Sequence, residues 1–369
     1  MLQKALFPGQ YLQGAGALNE LPALAQQLGS RALLLASPGV LSGVLPKWGE
    51  HLPDALFIRE QFRGECTETE LQRIAEQKRI SGCDLMIGMG GGKTIDSAKI
   101  VADREGIPVI VVPTIASTDA PCSGCAVTYS PEGVFEAVLY QKRNPAAVLV
   151  DLNIIASAPA RFLVSGMGDA LATWFEARSC DSTKSPNECG GLSTQTGLGI
   201  AKLCYDILIE HGYAAKLANE RGLITPALSK VTEANILLSG IGFESCGIAC
   251  AHAVHNGLTA LKETHACYHG EKVAFGVLTG LHLTAAAEKE IEEVYAFCER
   301  IALPTTLADI GIDASMPERL IPVAQESCKP GSSIHKEAGL VTPEMVYSAM
   351  LMADARGRER KEKKSLIYP

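Results

Sequence analysis

Apolar and polar positions repeat with two different periods along the first part of the chain. Short apolar runs occupy 31–37, 83–88, 107–114 and 146–152. Glycine, proline or polar residues bound these runs, a pattern that is typical of buried parallel strands. Longer stretches with apolar residues at helical spacing occupy 17–29, 67–82 (with Thr67 as N-cap) and 93–103. Such strand–helix units predict an α/β fold with a parallel, doubly wound sheet, whose ligand binds at the carboxyl ends of the strands.

The pattern changes near residue 156. From there to residue 369 the chain is rich in Ala, Leu and Glu at helical spacing, and it has few β-branched runs. We therefore predict a dinucleotide-binding α/β domain over 1–155, an all-α domain over 156–369 that carries the metal site, and a cleft between them. The sequence contains no internal repeat and no low-complexity segment.

The composition narrows the class of protein. The chain has 369 residues, a length that favours two domains. Of these residues 47% are hydrophobic and 20% charged, which is typical of soluble globular proteins. No apolar run reaches the length of about 18 residues that a membrane helix needs, and we see no signal peptide, so we expect a cytoplasmic protein. The net charge is −8, and the basic stretch 356–364 is interrupted by glutamates. A nucleic-acid or membrane partner is therefore not expected.

The twelve cysteines are expected to be free thiols, because no secretory signal accompanies them. Cys122 and Cys125 form a C-x-x-C pair. A zinc knuckle would need a second pair at similar spacing, which the sequence lacks, so a metal or redox site here is not favoured.

A glycine-rich turn, GMGGGKTIDSAK, runs over 88–99. The Walker A spacing fails because Ile87 stands where its first glycine belongs, and the dinucleotide fingerprint G-x-G-x-x-G fails because Lys93 stands at its third glycine. The order strand, glycine turn, helix still directs free backbone N–H groups at an anion. The alternative is a tight turn that binds nothing.

Four of the eight histidines lie close together in sequence: His252, His255, His265 and His269. His252 and His255 share one helix face, and Asp169 follows two glycines where we expect a helix to begin and could add a carboxylate ligand. Helical histidines can also be ordinary core residues, so spacing alone leaves a metal site open. The sequence has no H-E-x-x-H, which excludes that metalloprotease motif.

Five segments taken together resemble the glycerol dehydrogenases, the polyol branch of the iron-containing alcohol dehydrogenase superfamily. They are GGGKTIDSAK, PTIASTDAPCS, GMGDALATWFEA, AHAVHNGLTAL and YHGEKVAFG. The resemblance extends over nearly the whole chain. It implies an N-terminal nucleotide domain and a C-terminal helical domain, in agreement with the patterns above.

The resemblance also implies a metal site. Asp169, His252 and His269 match the family's metal ligands, while Thr173 stands where the iron-using relatives have a further histidine. One carboxylate and two histidines suit one catalytic Zn²⁺ per subunit. His255 and His265 would then be outer or merely neighbouring residues.

For the coenzyme NAD, the resemblance implies a set of contacts near the glycine turn and the following segment. The matching positions are Gly91, Gly92, Lys93, Thr94, Asp96, Thr114, Ser117, Ser123, Cys125 and Tyr129. Ser37 stands where the family usually carries an aspartate near the adenosine ribose, and a serine has no charge to repel a 2′-phosphate. We therefore expect NAD to be preferred, but NADP to be tolerated better than in a relative that carries the aspartate. Asp119 matches a residue next to the substrate; the alternative is a helix cap, because STDAP is also a plausible cap and turn sequence.

The activity implied is the reversible oxidation of glycerol and related 1,2-diols to dihydroxyacetone and other 2-hydroxyketones by a homo-oligomer, often an octamer in this family. Asp119, Asp169, His252 and His269 would form the catalytic set. Three alternatives stay open: a hydroxy-acid dehydrogenase of the same superfamily, a lyase similar to dehydroquinate synthase, and a chain that binds nucleotide without turnover.

Overall fold

The computed structural model of the chain describes residues 2–131, 133, 135–313 and 315–367. Its strands are β1 Tyr11–Gly14, β2 Ala32–Ala36, β3 Phe57–Gln61, β4 Leu85–Gly90, β5 Val109–Pro113, β6 Cys125–Tyr129, β7 Phe135–Tyr140 and β8 Ala147–Asp151. Six of the strands in these residues form one parallel sheet in the order β1–β8–β5–β4–β2–β3, and β6 and β7 form an antiparallel hairpin. The predicted doubly wound α/β class is confirmed.

Helices flank the sheet and make up the rest of the molecule. The first five are α1 Leu21–Leu28, α2 Leu45–Trp48, α3 Glu68–Ile80, α4 Gly92–Glu105 and α5 Leu152–Ser157. The others are α6 Ala160–Thr183, α7 Gln195–Glu220, α8 Pro226–Glu233, α9 Ser239–Cys246, α10 Cys250–Leu258, α11 His269–Leu283, α12 Glu288–Ile301, α13 Leu320–Ser327 and α14 Pro343–Ile367. Short 3₁₀ helices occupy Ala17–Glu20, Ala120–Cys122, Lys262–Ala266, Ala308–Ile310, Pro317–Arg319 and Ser333–Lys336, and π-helical turns occupy Val40–Val44 and Ala234–Leu238.

The sheet is buried on both faces. Along β2, Leu33 and Leu35 belong to one apolar cluster, whereas Leu34 and Ala36 belong to another on the opposite face. This alternation follows from the two-residue period of a strand, and burial of both faces explains why the central strands are continuous apolar runs. The first cluster also includes Phe275 of α11, so one face of the sheet shares its core with the helical half.

Three neighbouring strands end together at the predicted ligand edge. Ala36 of β2 lies opposite Met89 of β4, and Gly90 of β4 lies opposite Pro113 of β5. The next residues, Ser37, Gly91 and Thr114, are therefore brought side by side, as parallel strands require. The Ser37 N–H donates to the Met89 carbonyl at 3.3 Å, and the Thr114 N–H donates to the Gly90 carbonyl at 3.1 Å.

The last sheet strand ends at Asp151, and helices follow it. The segment at the start of the chain, however, lies against the helical half, because the Lys4 N–H donates to the Leu192 carbonyl at 3.0 Å. A domain boundary near residue 155 stays a prediction.

Two further expectations concern the chain as a whole. All twelve cysteines are free. Within the described part of the chain, no single helix has the length and apolar composition of a membrane span. Within the same residues, one pair of stretches, Pro226–Cys246 and Cys250–Leu258, has that length and composition when the two are taken together, but they are bent by 102° relative to each other.

Candidate active site

Asp169 lies in the interior of α6, and the expectation that a helix begins there was wrong. The glycines before it do not interrupt α6; they allow another backbone to approach it. A Cβ on Gly168 would lie 2.3 Å from the Gly270 carbonyl oxygen, and a Cβ on Gly270 would lie 1.8 Å from the Ser165 carbonyl oxygen. Helices α6 and α11 therefore cross in direct backbone contact, which sets Asp169 beside His269 at the beginning of α11.

Asp169, His252 and His269 meet at one point. His269 Nε2 lies 3.0 Å from Asp169 Oδ1, and His252 Nε2 lies 3.5 Å from the same oxygen. One ligand atom from each of the three residues lies within 4.8 Å of the others. In a tetrahedral zinc site, with bonds of about 2.0–2.1 Å, ligand atoms are about 3.3 Å apart. The donor set thus fits zinc in size and chemistry, and three ligands leave a coordination position for substrate.

The electrostatics of this cluster favour a cation. Burial raises the pKa of the Asp169 carboxyl, but the imidazoles of His269 and His252 outweigh it and hold that pKa well below its usual range. Burial lowers the pKa of His252, but Glu176 and Asp169 more than reverse this, so the His252 pKa lies well above its usual value. The cluster is therefore built around buried carboxylate charge that requires positive charge beside it.

Glu176, one turn beyond Thr173 on α6, forms a close contact that the sequence analysis missed. Its Oε2 lies 2.6 Å from His252 Nδ1, and the side chain is 2% exposed. Its Oε1 accepts the backbone N–H groups of Ala249 at 2.8 Å and His252 at 2.9 Å. The heptad spacing from Asp169 to Glu176 places both carboxylates on one helix face and could have signalled the pair.

Thr173 is embedded in a buried hydroxyl chain. Its Oγ1 lies 2.8 Å from Ser239 Oγ, and the Ser239 hydroxyl donates to Asp119 Oδ2 at 2.9 Å. Asp119 is buried, and burial, followed by the nearby Asp169 charge, raises its pKa well above the usual value. Thr173 is thus linked to Asp119 through the Ser239 hydroxyl. No local sequence signal marks Ser239 as part of this chain of contacts.

The two other histidines are placed differently. His255 is buried, and its ring centroid lies 4.2 Å from that of His269, so it adjoins the ligand cluster. Burial, with smaller contributions from His269 and Lys272, lowers the His255 pKa well below its usual value. His265 lies in a 3₁₀ helix, where Nε2 contacts the Thr259 carbonyl oxygen at 3.2 Å. Within the described residues it is not part of the ligand cluster.

A cavity of about 590 Å³ connects the ligand cluster to the glycine turn. Its volume is within the range of small-ligand and cofactor sites. Twelve of the predicted site residues line it: Gly91, Gly92, Lys93, Thr94, Asp96, Ser117, Asp119, Ser123, Cys125, Tyr129, His252 and His269. Asp169 lies behind the histidines, and Ser37 and Thr114 lie at the strand ends outside this lining.

At one end of the cavity, α4 begins with the N-cap Gly91, and in the described residues no side chain caps this end. Its first backbone N–H groups are therefore available to an anion. Lys93 lies beside them, with Nζ 2.5 Å from Glu65 Oε2 and 4.9 Å from the centre of the Tyr129 ring. Burial raises the pKa of the Tyr129 phenol.

A buried lysine that the sequence analysis did not single out, Lys99 of α4, holds the loop from Ala120 to Cys125 beside the cavity. Lys99 Nζ donates to the carbonyl oxygens of Ala120 at 2.9 Å and Ser123 at 3.3 Å, and also to that of Cys125. It also lies 3.2 Å from Asp96 Oδ1. These contacts fix the loop that carries several of the predicted coenzyme contacts.

The family described as iron-containing alcohol dehydrogenase matches residues 8–152. A glycerol dehydrogenase of Thermotoga maritima is 49% identical over 365 residues, covering 98% of this chain and 99% of the relative. One from Pseudomonas putida is 47% identical over 353 residues, covering 95% and 97%.

Among solved structures, a probable glycerol dehydrogenase from Sinorhizobium meliloti superposes with a TM-score of 0.92 at 44% identity, covering 97% of this chain and 99% of that one. The similarity in sequence and fold thus extends over both halves of the molecule. The chain belongs to the iron-containing alcohol dehydrogenase family, as an oxidoreductase similar to its glycerol dehydrogenases.

Proposed function

We propose that this chain catalyses the NAD-dependent, zinc-assisted, reversible oxidation of glycerol and related 1,2-diols to dihydroxyacetone and other 2-hydroxyketones. The observation that carries the proposal is one continuous cavity that has His252 and His269 of the ligand cluster on its wall, with Asp169 behind them, and that extends to the glycine turn. A dehydrogenase needs its alcohol and its hydride acceptor within reacting distance, and such a cavity allows this.

The residues of the α/β half would bind NAD. The uncapped N-terminus of α4, together with Lys93, would bind the pyrophosphate. Ser117, Ser123, Cys125 and Tyr129 would line the path toward the nicotinamide. Ser37 and Thr114, at the neighbouring strand ends, would border the adenosine side.

The helical half would bind the metal through Asp169, His252 and His269. When bound, zinc supplies a Lewis acid that makes a substrate hydroxyl more acidic, and NAD supplies the hydride acceptor. A carboxyl oxygen of Asp119 would accept a hydrogen bond from a second hydroxyl, which favours vicinal diols over simple alcohols. Ser239 would orient that carboxyl group.

The names of the relatives support this reading, since glycerol dehydrogenases match the chain over nearly its full length. We also propose a homo-oligomer and a division into domains near residue 155. Light scattering of the purified protein tests the first, and limited proteolysis tests the second.

The decisive assay follows NADH formation on a panel of glycerol, other 1,2-diols, simple alcohols and 2-hydroxy acids. The proposal predicts the highest kcat/KM on glycerol or another vicinal diol. A higher kcat/KM on a 2-hydroxy acid would favour the hydroxy-acid alternative. Bound NAD without turnover of any alcohol would favour a non-catalytic nucleotide-binding chain.

A further inference from the structure

The Glu176 carboxylate forms three hydrogen bonds, two with His252 and one with Ala249. One carboxylate oxygen faces the ring nitrogen Nδ1 of His252 at 2.6 Å. The other accepts the N–H groups of Ala249 and of His252 itself. Ala249 is the N-cap of α10, so the same carboxylate also neutralises the positive end of that helix. Both the backbone and the ring of His252 are thereby anchored to α6.

The contact to Nδ1 decides which ring nitrogen carries a proton. A carboxylate can only accept, so His252 Nδ1 must be the donor. The lone pair of the neutral ring then lies on Nε2, which is the nitrogen that faces Asp169 at 3.5 Å. A metal can then bind Nε2 without rotation of the ring, and it displaces any proton that Nε2 carries in the metal-free protein.

We propose that Glu176 is a positioning residue for the metal site, which fixes the tautomer and orientation of His252 and thereby sets the zinc affinity. The inference rests on the proposed metal-dependent function, because it assigns a role toward a metal held by Asp169, His252 and His269. Glu176 does not touch the reacting groups; it acts through His252.

The chain offers a matched control in Glu337. This side chain is also buried, and its carboxylate accepts the Cys250 N–H at 3.0 Å and the Ser179 hydroxyl at 2.6 Å. It therefore caps the same end of α10, but its two bonds do not reach His252. Glu337→Gln removes a carboxylate charge from that helix end and leaves the histidine tautomer unaffected.

Glu176→Gln is the informative variant. If its amide oxygen keeps the two backbone N–H groups, its NH₂ group faces His252 Nδ1, and the ring must then carry its proton on Nε2, where zinc should bind. We expect zinc affinity, measured by competition with a chelator, to fall roughly 10- to 100-fold. For Glu337→Gln we expect a change below about threefold, because the second carboxylate does not contact a ligand.

Nitrogen NMR of the histidine rings gives a readout independent of activity and of variant folding. In the wild-type zinc-loaded protein, His252 should carry its proton on Nδ1. A proton on Nε2, or equal zinc affinities of wild type and Glu176→Gln, would overturn the inference. So would equal losses in Glu176→Gln and Glu337→Gln, which would show a helix-capping role only. A wild-type protein that binds no zinc would instead refute the proposed function.

Discussion

The backbone N–H of Asp119 donates a 3.1 Å hydrogen bond to Oδ2 of Asp169, while Oδ1 of the same carboxylate faces His252 and His269. Asp119 lies in the loop after the sheet strand β5, and Asp169 lies on α6. This contact joins the α/β half to the helical half at the ligand cluster, and it fixes which oxygen is presented to the histidines.

Loss of a histidine ligand should remove the metal. His252→Ala and His269→Ala are each expected to lower zinc affinity by more than the roughly 100-fold that loss of an outer partner can cause, and to abolish nearly all activity. His255→Ala is the control, because its ring adjoins the cluster without completing it. Metal analysis and circular dichroism check these variants. Full zinc occupancy in folded His269→Ala would contradict the ligand assignment.

The glycine turn gives a second prediction. A Cβ on Gly92 would meet no atom within 4 Å, so Gly92→Val should fold, yet its side chain would occupy space at the N-terminus of α4 where NAD is proposed to bind. We expect the KM for NAD to rise about tenfold or more, equivalent to at least about 1.4 kcal/mol, with a smaller change for glycerol. The exposed helical Gly199, also without neighbours within 4 Å, supplies the control Gly199→Val. Equal rises of both KM values in Gly92→Val would assign the turn another role.

Coenzyme choice tests the position of Ser37. It follows β2 at the strand edge beside the glycine turn and carries no charge to repel a 2′-phosphate. Ser37→Asp should lower kcat/KM with NADP and preserve or raise it with NAD, because a carboxylate accepts hydrogen bonds from a ribose hydroxyl and repels phosphate. An unchanged NADP-to-NAD ratio would place Ser37 away from the ribose.

Two lysines on α4 should have different roles: we expect Lys99 to contribute to the stability of the fold and Lys93 to coenzyme binding. The Lys99 side chain is 1% exposed, whereas that of Lys93 is 47% exposed. Lys99→Met leaves a buried carboxylate at Asp96 without its cation and should lower the free energy of unfolding by about 3 kcal/mol or more. Lys93→Met should change it by less than about 1 kcal/mol while raising the KM for NAD. Urea unfolding and steady-state kinetics measure both, and similar destabilisation by the two variants would refute the distinction.

The central strands could be predicted from the sequence because burial on both faces makes them continuous apolar runs. The edge strands β1 and β3 could not, since polar residues such as Arg59 and Glu60 interrupt the apolar pattern of β3. Helix α3 and its Thr67 cap were predictable from local chemistry alone, and the Thr67 side chain accepts the Glu70 N–H.

The histidine cluster was recognisable from spacing and family resemblance, but the interior position of Asp169 was not. Glycines often mark the ends of helices. Only the tertiary contact between Gly168 and Gly270 shows why α6 contains glycines in its interior. Ser239 and Lys99 were missed because their partners are distant in sequence, whereas Glu176 was missed although its spacing from Asp169 places it on the same helix face. Such pairings depend on how helices cross, which a single sequence does not specify.

The most direct test of the account measures NAD-dependent glycerol oxidation in three samples of the same preparation: as purified, stripped of metal, and stripped then resupplied with zinc. We expect activity in the first sample, loss of activity in the second while the fold and NAD binding persist, and recovery in the third at one zinc per subunit. Undiminished glycerol oxidation by the fully stripped protein would contradict a metal role for Asp169, His252 and His269.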